Sequence, residues 1–246
     1  MLGEIMEFIY NYNGLPIYTQ QDILTKDYLT KLIIENIKSI LSNENQAWKY
    51  YQIESGSLIP RSLVNSNYTE DDVYFINDDL ALKPETTSAS YEYAINLLNH
   101  QTMLPISVFQ CSRSYRKEQD QATKHCRFKE FNQLEFQCLF SSDTKNDYQE
   151  KVLLPIAHLF SKVLGLPTRI VLSDRLPSYS LKTIDIEVNN GDKWMEISSI
   201  SLRNDFPIKP IIKNKSIDVL NLEIAIGIDR LLYNYMLQSN VTDARE

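Results

Sequence analysis

The chain has little of the residues that usually advertise a metal site, a disulfide scaffold or a membrane span. Cysteine occurs only at Cys111, Cys126 and Cys138, with no C-x-x-C pair, and there are only three histidines. Neither zinc ligation nor a disulfide framework is signalled, and the thiols read as ordinary reduced side chains. Only 6 of 246 residues are glycine, alongside much Asn, Ile, Tyr and Lys, which points to coding composition rather than to a special fold. No apolar run approaches the ~20 residues of a membrane span, and the opening MLGEIMEFIYNYNG lacks a basic start followed by an apolar stretch. These absences predict a cytoplasmic protein without a membrane partner. There is no repeat, low-complexity linker or charge block to divide the chain, which predicts one domain over 1–246. A net charge of -7 argues against a main partner with a polyphosphate backbone, although local basic patches remain open.

What is present suffices for one substantial core, since 43% of the residues are hydrophobic. Leu29, Leu32, Ile33, Ile37 and Ile40 recur at helical spacing and predict an amphipathic helix over 26–41. An extended stretch over 50–63 with a turn near Pro60, and two short strands over 72–82 around Asn77 and Asp78, follow. Helices are expected over 88–99, over 147–164 with Pro155 as a kink, and over 229–237. Strands are expected over 106–115, 130–140, 169–173, 183–188 and 193–199, the first two forming a long hairpin with a charged tip over 117–125. Hairpin-linked strands with a few long helices indicate an α/β fold of the α+β type, an antiparallel β-sheet flanked by helices.

The chemistry concentrates in that hairpin. It reads Tyr115-Arg116-Lys117-Glu118, a polar loop, then Arg127-Phe128-Lys129-Glu130-Phe131-Asn132-Gln133-Leu134-Glu135. Strand alternation puts Arg127, Lys129, Phe131, Gln133 and Glu135 on one face and Phe128 and Glu130 on the other. A guanidinium holds phosphate bidentately, a ring stacks on a purine and a carboxylate holds an ammonium group. These suit a site that joins a nucleoside triphosphate to an amino acid. The same alternation would also suit a salt-bridged exposed hairpin, and spacing alone does not separate the two.

The string YRKE, loop, RFKEFNQLE resembles motif 2 of class II aminoacyl-tRNA synthetases, in particular of the glycyl enzyme. Glu223-Ile224-Ala225-Ile226-Gly227-Ile228-Asp229-Arg230 is similar to motif 3. Leu82-Lys83-Pro84-Glu85-Thr86 resembles the glycyl enzyme's Arg-Pro-Glu-Thr segment, with lysine in place of arginine. Asp185-Ile186-Glu187 and the run from Trp194 to Ser201 resemble a strand pair shared by the glycyl and seryl enzymes. Motif 1 is carried by little more than Pro60. The segments follow the family's order, and the resemblance runs from residue 26 to the C-terminus, leaving 1–25 as an N-terminal extension.

The resemblance implies a role for each matching position. Arg116 would hold the ATP α-phosphate and Arg230 the γ-phosphate, both as electrostatic catalysts. Phe131 and Arg230 would sandwich the adenine, Glu118 would meet its amino edge, Arg127 would reach the terminal phosphates and Gly227 would open the helix at the nucleotide. Glu196 and Ser199 would bind Mg²⁺ through oxygen, as a hard cation requires. Glu85, Gln133, Glu135, Ser201 and Glu223 would receive the amino acid. Glycine leads as substrate, with serine or another small amino acid behind it, because Ala225 stands where the glycyl enzyme has serine while Arg203-Asn204-Asp205 resembles its Arg-x-Asp. The resemblance further implies a homodimer and an acceptor that is either tRNA or a carrier protein. The chain stops soon after motif 3, so no anticodon-binding domain is expected. A non-catalytic accessory subunit is the alternative, and the intact set of phosphate and adenine residues argues against it.

Overall fold

The computed structural model describes residues 10–12, 14–42, 47–100, 102–117, 127–144, 147–174, 176–191 and 193–243. In chain order the elements are β1 (Tyr10–Tyr12), β2 (Leu15–Ile17), α1 (Gln20–Ser42), β3 (Lys49–Gln52), β4 (Leu58–Pro60), β5 (Leu80–Leu82), α2 (Thr87–Asn99), β6 (Ile106–Tyr115) and β7 (Glu130–Ser141). Then come α3 (Tyr148–His158), β8 (Thr168–Leu172), β9 (Ser180–Asn189), β10 (Trp194–Arg203), β11 (Ile211–Ile212), β12 (Lys215–Ser216), β13 (Val219–Gly227) and α4 (Ile228–Asp243). Seven strands form the central sheet in the order β3-β6-β7-β13-β10-β9-β8. Every neighbouring pair is antiparallel except β3 and β6. This is the antiparallel sheet with flanking helices that the sequence predicts, with one parallel strand added at an edge.

Helix α1 begins six residues before the predicted start. Thr19 and Asp22 form a reciprocal cap, with Thr19 N–H donating to Asp22 Oδ2 at 2.7 Å and Asp22 N–H donating to Thr19 Oγ1 at 3.2 Å. Leu29, Ile33, Ile37 and Leu41, each four apart, are buried against the sheet. Burying each contributes roughly 1.5–3 kcal/mol. That outweighs the few tenths of a kcal/mol by which β-branched Ile is disfavoured in a helix, so an isoleucine-rich run stays helical. The predicted pair of strands over 72–82 reduces to β5, paired with β4, because the Asn77 side chain accepts from the backbone N–H of Asp79 and Leu80 and closes a turn there. The chain after α3 continues through Leu159–Val163 as a wider π-type turn.

The two faces of the sheet differ. One is apolar: Phe109, Phe136, Cys138, Ile186, Ile200, Ile224 and Ile226 pack with residues of α1, α3 and α4. On the other, α2 covers only one end, where Tyr91, Ala94 and Leu98 meet Ile106, Val108, Leu139 and Val219. The rest of that face is polar.

Candidate active site

Register assembles the polar face. Gln133 lies opposite Gly227, Glu135 opposite Ala225 and Gln137 opposite Glu223. Glu223 in turn faces Ser201, and Ser201 faces Thr183. On the other side of β7, Ser112 pairs with Gln133 and Gln110 with Glu135. Cross-strand partners share a face, so Gln133, Glu135, Glu223 and Ser201, far apart in sequence, are brought together. Glu85 joins them from the turn that leads into α2.

Three carboxylates converge here. Glu135 is 2% exposed, and its Oε2 accepts from Thr86 Oγ1 at 2.5 Å, Thr87 Oγ1 at 3.2 Å and Gln137 Nε2 at 3.3 Å. Its Oε1 accepts from Gln133 Nε2. Thr87 and Gln137 also donate to Glu223 Oε2, at 3.1 and 3.2 Å, so one hydroxyl and one amide bridge the two carboxylates. Glu85 accepts from Tyr68 OH at 3.1 Å through Oε2, while its Oε1 is buried without a partner. Burial, reinforced by the charges of Glu223 and Glu85, pushes the Glu135 carboxyl up to about 8. Burial likewise raises Glu85.

Cations meet the cluster from two sides. Arg203, 1% exposed, donates to Glu223 and grips Asp205 with two bonds of 3.0 and 2.7 Å, and its guanidinium lies 3.8 Å over the Tyr179 ring. Arg116 donates to Pro84 O at 3.2 Å and to Tyr68 OH at 3.2 Å, with the Phe131 ring 5.4 Å away. Tyr68 thus links Arg116 to Glu85. Phe131 is half-buried on the site face of β7, whereas Phe128, two residues before β7, is buried in the core beneath. Arg127 is exposed on the approach to β7. Glu118 lies outside the described residues, as do Cys126, Lys124 and His125 of the hairpin tip.

Gly227 ends β13, and Arg230 stands in the first turn of α4 immediately after it. A Cβ at Gly227 would lie 3.7 Å from Arg230 Cδ, an ordinary contact, so packing alone does not demand glycine. Arg230 donates to Glu196 O at 2.9 Å, with the Glu196 carboxylate 4.0 Å away. Glu196 and Ser199, three apart, would fall on opposite faces of a regular strand. The β9–β10 register shifts between Glu196 and Ser198, and the bulge brings both onto the polar face.

For the implied Mg²⁺ the donors fit. Asp185 pairs with Ser199, accepts from Ser173 and Ser199, and keeps Oδ1 buried without a partner. Such an oxygen-only set suits a hard cation. Among the described residues no three His, Cys, Asp or Glu gather closely enough to hold a metal alone. The protein would therefore supply part of a shell that phosphate and water complete.

Sequence reasoning missed Tyr68, Tyr179, Thr87 and Gln137, whose signals are single polar residues scattered over the chain. No helix among the described residues is long and apolar enough to cross a membrane.

A family model described as the tRNA synthetase class II core domain (G, H, P, S and T) matches residues 69–239. The glycine–tRNA ligase of Mycoplasma capricolum is 28% identical over 233 residues, covering 86% of this chain and 49% of that protein. That of Mycoplasma mycoides is 28% identical over 246 residues, covering 91% and 52%. The chain thus spans about half the length of the curated relatives it matches. A prolyl-tRNA synthetase from Cryptosporidium parvum, solved with halofuginone and AMPPNP, superposes with a TM-score of 0.73 at 13% identity, over 94% of this chain and 49% of that one. The Giardia lamblia prolyl-tRNA synthetase with prolyl-adenylate gives 0.73 at 18% identity, over 92% and 48%. Both structures share the fold.

Proposed function

The chain belongs to the class II aminoacyl-tRNA synthetase core family, and from that premise we propose that it activates glycine or another small amino acid with ATP, forming an aminoacyl-adenylate. The observation that carries the reading is the buried cluster of Glu85, Glu135 and Glu223 beside Arg116. Two of its acceptors, Glu85 Oε1 and Gln133 Oε1, are buried and unpartnered. Unpaired buried acceptors are costly, and one ammonium group supplies donors for both of them and a positive charge toward Glu135 and Glu85.

Arg116 orients the substrate carboxylate and the α-phosphate. A carboxylate oxygen bonds to the α-phosphorus as the bridging oxygen departs with pyrophosphate, and no protein nucleophile takes part. Charge that develops on the phosphoryl oxygens is met by Arg116, while Arg230 and Arg127 hold the departing end and Phe131 stacks on the adenine. Glu118 belongs to the same reading as the partner of the adenine amino edge. Mg²⁺, held at Glu196 and Ser199, neutralises phosphate charge when bound. A homodimer is part of this proposal, as is transfer to tRNA or to a carrier protein.

The test is amino-acid-dependent exchange of labelled pyrophosphate into ATP, run with each standard amino acid and no tRNA. Exchange with one small amino acid, abolished in Arg116→Ala and Arg230→Ala with the fold intact, is the expected result. No exchange by folded protein that binds ATP, or near-normal exchange in both variants, overturns the assignment. Supplying tRNA and carrier protein in turn then identifies the acceptor.

A further inference from the structure

Residues 14–18, ahead of α1, grip the strand that carries Phe131 and Gln133. The β7 backbone loses its β13 neighbour after the Gly227–Gln133 pair. The next free donor, Asn132 N–H, is taken up by the Asp229 carboxylate at 2.7 Å, and Asn132 Nδ2 donates to the same carboxylate at 3.1 Å. Asp229 precedes Arg230 and is 1% exposed. It therefore prolongs the ladder by one rung and ties the first turn of α4 to the residue between Phe131 and Gln133.

That carboxylate and amide have a third partner from outside the sheet. Asn132 Nδ2 donates to Tyr18 OH at 2.8 Å, and the Tyr18 hydroxyl donates onward to Asp229. Four residues earlier, Gly14 O accepts from Lys129 N–H at 2.8 Å. Gly14 adopts φ +87°, and a Cβ there would come within 3.0 Å of the Lys129 side chain. The positive φ favours glycine there, and a Cβ would press on the Lys129 side chain. Lys129 O in turn accepts from Arg116 N–H at 2.9 Å. The segment 14–18 thus touches, through one intermediate residue each, the strand position of Phe131, the helix turn of Arg230 and the backbone of Arg116.

We infer that the N-terminal segment is a working part of the nucleotide site, with Tyr18 as a positioning residue that holds Phe131 and Arg230 in mutual register through Asn132 and Asp229. The inference rests on the proposed ATP site. Burial raises both the Tyr18 phenol and the Asp229 carboxyl, so the hydroxyl keeps its proton at neutral pH and remains a donor.

Tyr18→Phe removes only the hydroxyl, and Gly14→Ala pushes on Lys129 without touching Tyr18. In the full chain, binding of ATP and of glycine, melting temperature and amide hydrogen exchange over 127–135 are measured for both variants. In Tyr18→Phe, ATP affinity is expected to weaken by about three- to tenfold, with glycine affinity within about twofold, the melting temperature within about 2 °C, and faster exchange at the Asn132 amide. Gly14→Ala is expected to weaken ATP binding more than glycine binding, with a lower melting temperature from the backbone strain at φ +87°. Unchanged ATP affinity in both variants overturns the inference, as does loss of both affinities in step with a lowered melting temperature. If wild-type protein binds no ATP, the proposed function fails, and the inference is decided by hydrogen exchange alone. Faster Asn132 exchange in Tyr18→Phe then sustains it, and unchanged exchange overturns it.

Discussion

Replacing Glu135 by glutamine should make the ligand-free protein more stable at neutral pH while spoiling its amino-acid site. The carboxyl of Glu135 is pushed from its ordinary 4.5 up to about 8 in the folded chain, because burial and the neighbouring Glu223 and Glu85 all oppose its charge. A folded-state pKa above the unfolded one means that the native state holds a proton that the unfolded chain has released. Stability from this group is therefore full below about pH 4.5 and is lost as pH rises toward 8, at up to ~1.4 kcal/mol per pH unit. Over roughly three units that amounts to a few kcal/mol, an upper figure because Glu85 and Glu223 titrate with it.

Glutamine removes the titration and fits the hydrogen bonds. Its oxygen can take the bonds from Thr86 and Thr87, and its NH₂ would meet Gln133 Nε2. The unpartnered Gln133 Oε1 allows that amide to flip and accept instead. Urea unfolding at pH 5.5 and pH 8 reads the effect: the variant gains on the wild type as pH rises between them, and at pH 8 it leads by about 1–3 kcal/mol. Glycine binding should fall at least tenfold. A variant less stable than wild type at pH 8, or one with the same pH slope, refutes the account of a charge-crowded cluster.

Phe128→Ala, which empties a fully buried position beneath β7, should cost about 3–5 kcal/mol in denaturant midpoint analysis; a loss under 1 kcal/mol would mean that Phe128 is not in the core. Gly227→Ala should leave the melting temperature unchanged, because the added Cβ meets Arg230 at ordinary contact distance. It should nevertheless raise the ATP KM in pyrophosphate exchange; an unchanged KM would remove the glycine from the nucleotide site. Chelation of Mg²⁺ should stop exchange and its readdition restore it, with no change in the urea midpoint of the ligand-free protein. Exchange that persists in chelator would sink the metal reading of Glu196 and Ser199.

Where function was legible in the sequence, it was legible because a regular strand enforces a period of two. Gln133 and Glu135 had to share a face. The repeat of Leu29, Ile33 and Ile37 likewise sufficed for a helix, because burial of that stripe outweighs the low helix propensity of isoleucine. Local order failed wherever the chain broke its own period or reached across the fold. Glu196 and Ser199 lie on one face only because a bulge shifts the β9–β10 register. The carboxylate cluster owes its hydrogen bonds to Thr87, Gln137 and Tyr68, which no spacing rule connects, and residues 14–18 reach the site through a tyrosine hydroxyl. The sequence alone determined the fold class, the motif strand and the identity of the charged groups. Only the tertiary structure decided which of those charges are left without water or a partner, because burial and cross-strand register are properties of the assembled sheet.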